Sequence, residues 1–365
     1  MLANKSTTIK PKVAETLFGE NPMATDGFEF LEFTSTEPTK LAKDFENLGF
    51  KAVAKHKSKD VILYRQGEIN FILNREKGFA QDFAARHGAG ACAMGFRVLD
   101  AQAAYNRAIK LGAEPYASKV NSGELNIPAI YGIGGSVIFF VDKYGSESIY
   151  DTDFVPTSPN GSLEHAGNNL VYLDHVTHNV HQGKMDVWAK FYEKLFNFKE
   201  IRYFDIEGKM TGLLSRAMTS PCGKIRIPIN EGTDDKSQIE EYLRDFNGEG
   251  IQHIALGSSD IYSSVSGLSQ NGIKFQDVPD TYYDLLDDRV KDHNEPVDRL
   301  KKLRILVDGA PSEGQGLLLQ IFTKNMLGPV FFELIQRKGN EGFGEGNFRA
   351  LFESIELDQM QRGVL

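Results

Sequence analysis

Short apolar runs and amphipathic ones follow one another along the chain, and the whole order occurs twice. From Gly27, GFEFLEF alternates apolar and acidic positions, which predicts a half-buried strand. Leu41, Phe45 and Leu48 then fall on one face at helical spacing, and Gly49 stops the run. DVILYRQ and EINFILN predict two more strands. ACAMGFRVLD predicts another, followed by a helix over AQAAYNRAIKLG that closes at Gly112. The Gly-rich strand pair YGIGGSVIFFVDKYG completes this unit near residue 150. Residues 1–26 are polar with two prolines, Pro11 and Pro22, and predict a loosely ordered N-terminal arm. Residues 156–169 are rich in Ser, Gly, Asn and Pro and predict a linker.

The second half repeats the sequence of elements. LDHVTHNV is strand-like, and MDVWAKFYEKLFNF places Trp188, Phe191, Tyr192 and Leu195 at i, i+3, i+4 and i+7. GIQHIALGSSD is a strand leading to a helix that ends at Gly272. Asp100 to Gly112 and Asp260 to Gly272 are both 12 residues; Ala93 to Asp100 and His253 to Asp260 are both 7. Repeated βαβββ modules in an α+β chain are the predicted architecture, with domains at 27–155 and 170–365. The repeat sets Phe30 or a neighbour opposite His175, Ala93 opposite His253, and Tyr150 or Asp151 opposite Glu333. The first half then lacks the imidazoles, and metal chemistry is expected only in the second.

The chemistry is carried by polar residues in apolar strands. Glu333 stands in GPVFFELIQR, where an unpaired buried carboxylate would cost several kcal/mol unless protonated, paired or cation-bound. His175 and His253 occupy similar strands, and any one such histidine taken singly is usually a hydrogen-bonded core residue. Together, two imidazoles and a carboxylate from three strands form the donor set of a non-haem iron(II) site. His178 and His181 rival His175. Residues 175 and 177 share a strand face and 178 takes the other, so His178 reads as a residue behind the ligands or at the surface. Gln252 reads as lying on the opposite face from His253. Gln320 shares a face with Leu318 and Phe322 and needs partners if buried. Asn230 ends KIRIPIN, and Ser215 opens the segment before it; turn chemistry would explain either. In the tail, glycines at 342, 344 and 346 precede an amphipathic pattern of Phe348, Leu351, Phe352 and Ile355. That pattern reads as core packing or as a lid. It is not a nucleotide loop, since no βαβ unit surrounds it.

Composition narrows this picture. The 365 residues are 41% apolar and 25% charged, with net charge -9, which argues against nucleic acid or an anionic membrane as partner. Cys92 and Cys222 are too few for a disulfide framework and suit a reducing cytoplasm. The N-terminal residues do not resemble a signal peptide, and no apolar run approaches a membrane span.

The blocks LDHVTHNV, FYEKLFNF, RIPINE, NGEGIQHIAL, LLLQIF, FFELIQR and GFGEGNF, within residues 21–365, resemble the 4-hydroxyphenylpyruvate dioxygenases of the vicinal oxygen chelate superfamily. Bacterial members linked to brown pigment, called haemolysin or legiolysin, are also similar. The resemblance implies two open-barrel domains with a C-terminal gating helix. It implies Fe(II) on His175, His253 and Glu333. It implies substrate contacts from Ser215, Asn230, Gln238, Gln252, Gln320, Phe322, Phe331, Phe343 and Phe348, with Gln320, Phe348, Asn230 and Gln252 taking part in catalysis. The implied reaction turns 4-hydroxyphenylpyruvate and O2 into homogentisate and CO2 in tyrosine and phenylalanine catabolism. The implied enzyme is a cytoplasmic homo-oligomer, a tetramer or dimer. A 4-hydroxymandelate synthase, an extradiol dioxygenase and a metal-free binding protein on the same fold are the alternatives.

Overall fold

The computed structural model describes residues 16–207, 212–348, 360 and 363. The first half contains β1 (Phe28–Thr34), α1 (Pro38–Asn47), β2 (Lys51–His56), β3 (Val61–Gln66) and β4 (Ile69–Asn74). Helix α2 (Phe79–His87) leads to β5 (Gly90–Arg97), α3 (Ala101–Lys110), β6 (Pro115–Tyr116), β7 (Ala129–Tyr131) and β8 (Val137–Val141). These are two βαβββ modules. Helix α4 (Ile149–Asp153) and strand β9 (Phe154–Pro156) close the half, with β9 pairing against β2.

The second half runs through β10 (Leu170–Val180), α5 (Met185–Phe196), β11 (Lys199–Glu207), β12 (Gly212–Thr219), β13 (Arg226–Gly232) and α6 (Gln238–Asp245). It continues with β14 (Gly250–Ser258) and α7 (Ile261–Gln270). Three short helices follow: α8 (Asp280–Asp284), α9 (Leu286–Arg289) and α10 (Val297–Leu303). Strands β15 (Leu306–Gly309), β16 (Leu317–Phe322) and β17 (Phe331–Lys338) end it.

The strand orders are β6-β7-β8-β5-β1-β4-β3-β2-β9 and β15-β16-β17-β14-β10-β13-β12-β11, so the two curled sheets share one topology. Local chemistry explains the repeated spacing. Asp100 and Asp260 are the N-caps of α3 and α7, each accepting a hydrogen bond from the backbone N–H three residues on. Gly112 and Gly272 end the same helices with φ of 92° and 91°.

Strand pairing corrects one expected correspondence. Thr177 pairs with His253, and Ala255 with Glu333; in the first sheet Glu32 pairs with Ala93, and Gly95 with Phe139. The counterpart of Glu333 is therefore Phe139, not Tyr150 or Asp151. The helices α8–α10 lie between α7 and β15 and have no equivalent between α3 and β6, so chain distance is not conserved there. His175 pairs with Ala255 as Phe30 pairs with Gly95. Phe30, Ala93 and Phe139 thus stand where the second half has its donors.

Residues 1–15 of the expected arm lie outside the described residues. Residues 16–26 dock on the second half: Leu17 and Phe18 donate backbone N–H groups to the Pro221 carbonyl, and Met23 and Thr25 are buried. Backbone hydrogen bonds, including Asp26 N–H to the Arg97 carbonyl and Leu99 N–H to the Met23 carbonyl, hold this stretch although most of it is exposed or half-buried. The expected tail helix beyond Phe348 lies outside the described residues.

Candidate metal centre

Three strands converge on one point. On β10, His175 and Thr177 face the cavity of the second half, as their shared parity requires. His178 takes the other face, fully buried, with Nε2 2.7 Å from the Tyr192 hydroxyl of α5. Burial pushes its pKa down to about 3. His178 is therefore a core residue, not a surface one.

On β14, Thr177 pairs with His253 and His178 with Ile251, so Gln252 is the extra residue of a β-bulge. The bulge turns Gln252 toward the same cavity as His253, correcting the opposite-face expectation. Gln252 Oε1 lies 2.7 Å from His253 Nδ1, and this contact orients the ring. On β17, Phe331 and Glu333 face the cavity while Phe332 enters the shared core, 6.1 Å from Phe71 of the first half.

His175, His253 and Glu333 each offer a ligand atom, and all three atoms lie within 4.8 Å of one another. Glu333 Oε2 is 3.2 Å from His175 Nε2 and 3.6 Å from His253 Nε2. Burial opposes a charge on His175, but Glu333 and Asp174 beside it raise its pKa overall. Burial, with the neighbouring His175, holds His253 well below the usual imidazole range, so it is neutral and able to donate a lone pair. A buried carboxylate between two imidazoles suits a divalent cation.

Behind the donors is a layer of support of which sequence reasoning had named Gln320 but neither Arg337 nor Asn347. Asp174 Oδ1 lies 2.9 Å from His175 Nδ1, and Arg337 grips Asp174 with Nε at 2.7 Å and Nη2 at 2.8 Å. Burial alone would raise the Asp174 pKa; Arg337 and His175 instead hold it far below the usual carboxylate range. Arg337 Nη1 also donates to the Asn340 carbonyl at 3.0 Å and the Gly342 carbonyl. Gln320 Nε2 donates to Glu333 Oε1 at 3.0 Å, and Asn347 Nδ2 donates to Gln320 Oε1 at 3.0 Å. Gln320 thus stands behind Glu333 and is absent from the cavity lining, unlike the other expected pocket residues. A Cβ on Gly344 would sit 1.6 Å from the Gln320 amide oxygen, so only glycine fits there. The start of the tail is fastened to two of the three donors.

The cavity is otherwise aromatic and amide-lined. Phe331 stacks on His253 with ring centres 4.9 Å apart, and Phe343 meets His175 edge-on at 5.5 Å. Phe322 and Phe348 complete the apolar wall. Phe348 also packs against Phe204 at 5.0 Å. Ser215 and Asn230 face each other across β12 and β13, and Gln238 and Gln252 add two amides.

Residues 19–155 match the family model for the N-terminal region of hydroxyphenylpyruvate dioxygenase. Residues 172–295 match that of the glyoxalase, bleomycin resistance protein and dioxygenase superfamily. A 4-hydroxyphenylpyruvate dioxygenase of Pseudomonas aeruginosa is 56% identical, covering 94% of this chain and 97% of its own. This chain belongs to the 4-hydroxyphenylpyruvate dioxygenase family. A Legionella pneumophila relative of the same description is 54% identical over 94% and 98% of the two chains. Hemolysin VllY of Vibrio vulnificus is 59% identical over 94% and 98%. Among solved structures, a mutant 4-hydroxymandelate synthase of Streptomyces coelicolor superposes with TM-score 0.79 at 25% identity, covering 93% of this chain and all of that one (100%). A fusion of a xylose isomerase-like barrel with a 4-hydroxyphenylpyruvate dioxygenase gives TM-score 0.78 at 32% identity. This chain, 92% covered, spans about half (54%) of that fusion. The family is metal-dependent. No helix among the described residues is long and apolar enough to cross a membrane.

Proposed function

We propose that the chain is an Fe(II)-dependent dioxygenase that converts 4-hydroxyphenylpyruvate and O2 to homogentisate and CO2. The observation that carries this reading is the convergence of two imidazoles and one carboxylate at the floor of an aromatic cavity. His175, His253 and Glu333 would hold the metal on one face, leaving positions for a chelating 2-oxo acid and for O2. When bound, the metal supplies activation of O2 and polarisation of the 2-oxo acid.

The other residues bind, orient and exclude water. Phe331, Phe322, Phe343 and Phe348 clamp the substrate ring and keep the site dry. Asn230, Ser215, Gln238 and Gln252 offer hydrogen bonds to the phenol and the acid. Gln320 supports catalysis through its bond to Glu333. The division of labour follows from the repeat: 170–365 carries the chemistry, and 27–155 has Phe30, Ala93 and Phe139 at the donor positions. The reading extends to a cytoplasmic homo-oligomer, a dimer or tetramer; its support is the family and the two free, buried thiols Cys92 and Cys222.

The test is oxygen uptake by the iron-reconstituted protein. Consumption with 4-hydroxyphenylpyruvate, with homogentisate and CO2 in equal amounts, is expected. Uptake with catechols and none with the keto acid would instead indicate ring cleavage. Tight binding of aromatic acids with no uptake would indicate a binding protein.

A further inference from the structure

The first half keeps a cavity at the place where the second half has its metal centre. Its volume is about 470 Å³, within the range of small-molecule pockets. Strand pairing establishes the correspondence. Phe30 and Phe139 replace His175 and Glu333, and Glu32 replaces Thr177. Val61 pairs with Asn74 as Ser215 pairs with Asn230, so the amide on β4 is retained. All five first-half residues line the cavity.

Loss of the metal donors has not made this space a filled core. Phe30 and Phe139 pack at 5.8 Å and form an aromatic wall, joined by Tyr116 at 6.1 Å from Phe139. Against that wall lies Glu32, a buried carboxylate. Asn74 Nδ2 donates to its Oε1 at 2.8 Å, and the Cys92 thiol lies 3.7 Å from the same oxygen. Oε2 accepts no hydrogen bond from the described residues. Burial raises the Glu32 pKa despite Asn74, Cys92 and Lys59. Oε2 is thus open to a further donor, and an aromatic ring carrying one would meet both the wall and the carboxyl.

We propose that the first half is a second small-molecule site, which takes a small phenol with its ring against Phe30 and Phe139 and its hydroxyl donating to Glu32. The site needs no metal and is independent of the chemistry in the second half. Calorimetric titration of the full-length, metal-free chain with 4-methylphenol tests it, with 4-methylanisole as the probe that cannot donate. Wild-type protein is expected to bind the phenol about tenfold or more tighter than the anisole, the effect of one hydrogen bond to a buried carboxyl oxygen that otherwise has no donor. Glu32→Leu should remove that preference, Val61→Trp should fill the cavity and abolish binding, and Phe331→Trp in the other cavity should leave it intact. Equal affinities for the two probes in wild-type protein would overturn the proposal, and that comparison needs no variant to fold. So would absence of binding, or binding that is lost in Phe331→Trp and kept in Val61→Trp.

Discussion

Asp174 decides how His175 is presented, although it never reaches the metal position itself. It fixes His175 Nδ1 and is fixed in turn by two bonds from Arg337. Asp174→Asn should lower metal affinity by about 10–100-fold, the usual cost of losing a carboxylate behind a histidine ligand; competition with a chelator measures it. The same carboxyl has a depressed pKa. Its contribution to stability is therefore full above the unfolded carboxylate value of about 3.9 and fades as pH falls below it. The gap in urea midpoint between wild type and Asp174→Asn should hold constant from about pH 7 down to about pH 5 and begin to narrow only as pH falls below about 4. Phe348 lines the cavity and leans on Phe204. Shortening it in Phe348→Ile should free the side chain of the substrate and divert part of the product to 4-hydroxymandelate; homogentisate as sole product would refute that role. The donors were legible in the sequence because each is polar in an otherwise apolar strand. Arg337 and Asn347 were not, because their partners depend on register and on how the tail folds back.

At the scale of elements, the repeat was legible from matched caps and glycines, and the position of Glu333 within it was not. The three helices between α7 and β15 break the even spacing, and only strand pairing identifies Phe139 as the counterpart. The bulge at Gln252 was equally invisible, since an alternating pattern assumes an unbroken ladder. Helix α5 packs on the back of β10 through Tyr192, which is fully buried and bonded to His178. Tyr192→Phe leaves His178 Nε2 buried without its partner and should destabilise the fold by about 1–3 kcal/mol. A denaturant midpoint equal to wild type would contradict this.

At the scale of the molecule, the two halves share one apolar core and act as a single body. Phe71 meets Phe332, Phe96 meets Phe196, and His87 stacks on Phe246 with ring centres 4.7 Å apart. Contact is closest at Gly134, where a Cβ would lie 2.0 Å from the Glu249 carbonyl oxygen and φ is +60°. Gly134→Ala should cost about 2–4 kcal/mol through clash and backbone strain, within one cooperative transition. Two separate calorimetric transitions in the wild-type protein would contradict a shared core. Glu249 also accepts from the Trp188 indole at 2.7 Å and the His181 backbone at 3.1 Å, which ties this contact to β10 and α5.

Anaerobic titration of the chain with Fe(II) and then with 4-hydroxyphenylpyruvate tests the metal centre most directly. One ferrous ion per chain and a weak visible charge-transfer band on adding the keto acid are predicted, both lost in Glu333→Ala. A chain that takes up no iron, or one whose band survives that substitution, would contradict a centre built on His175, His253 and Glu333.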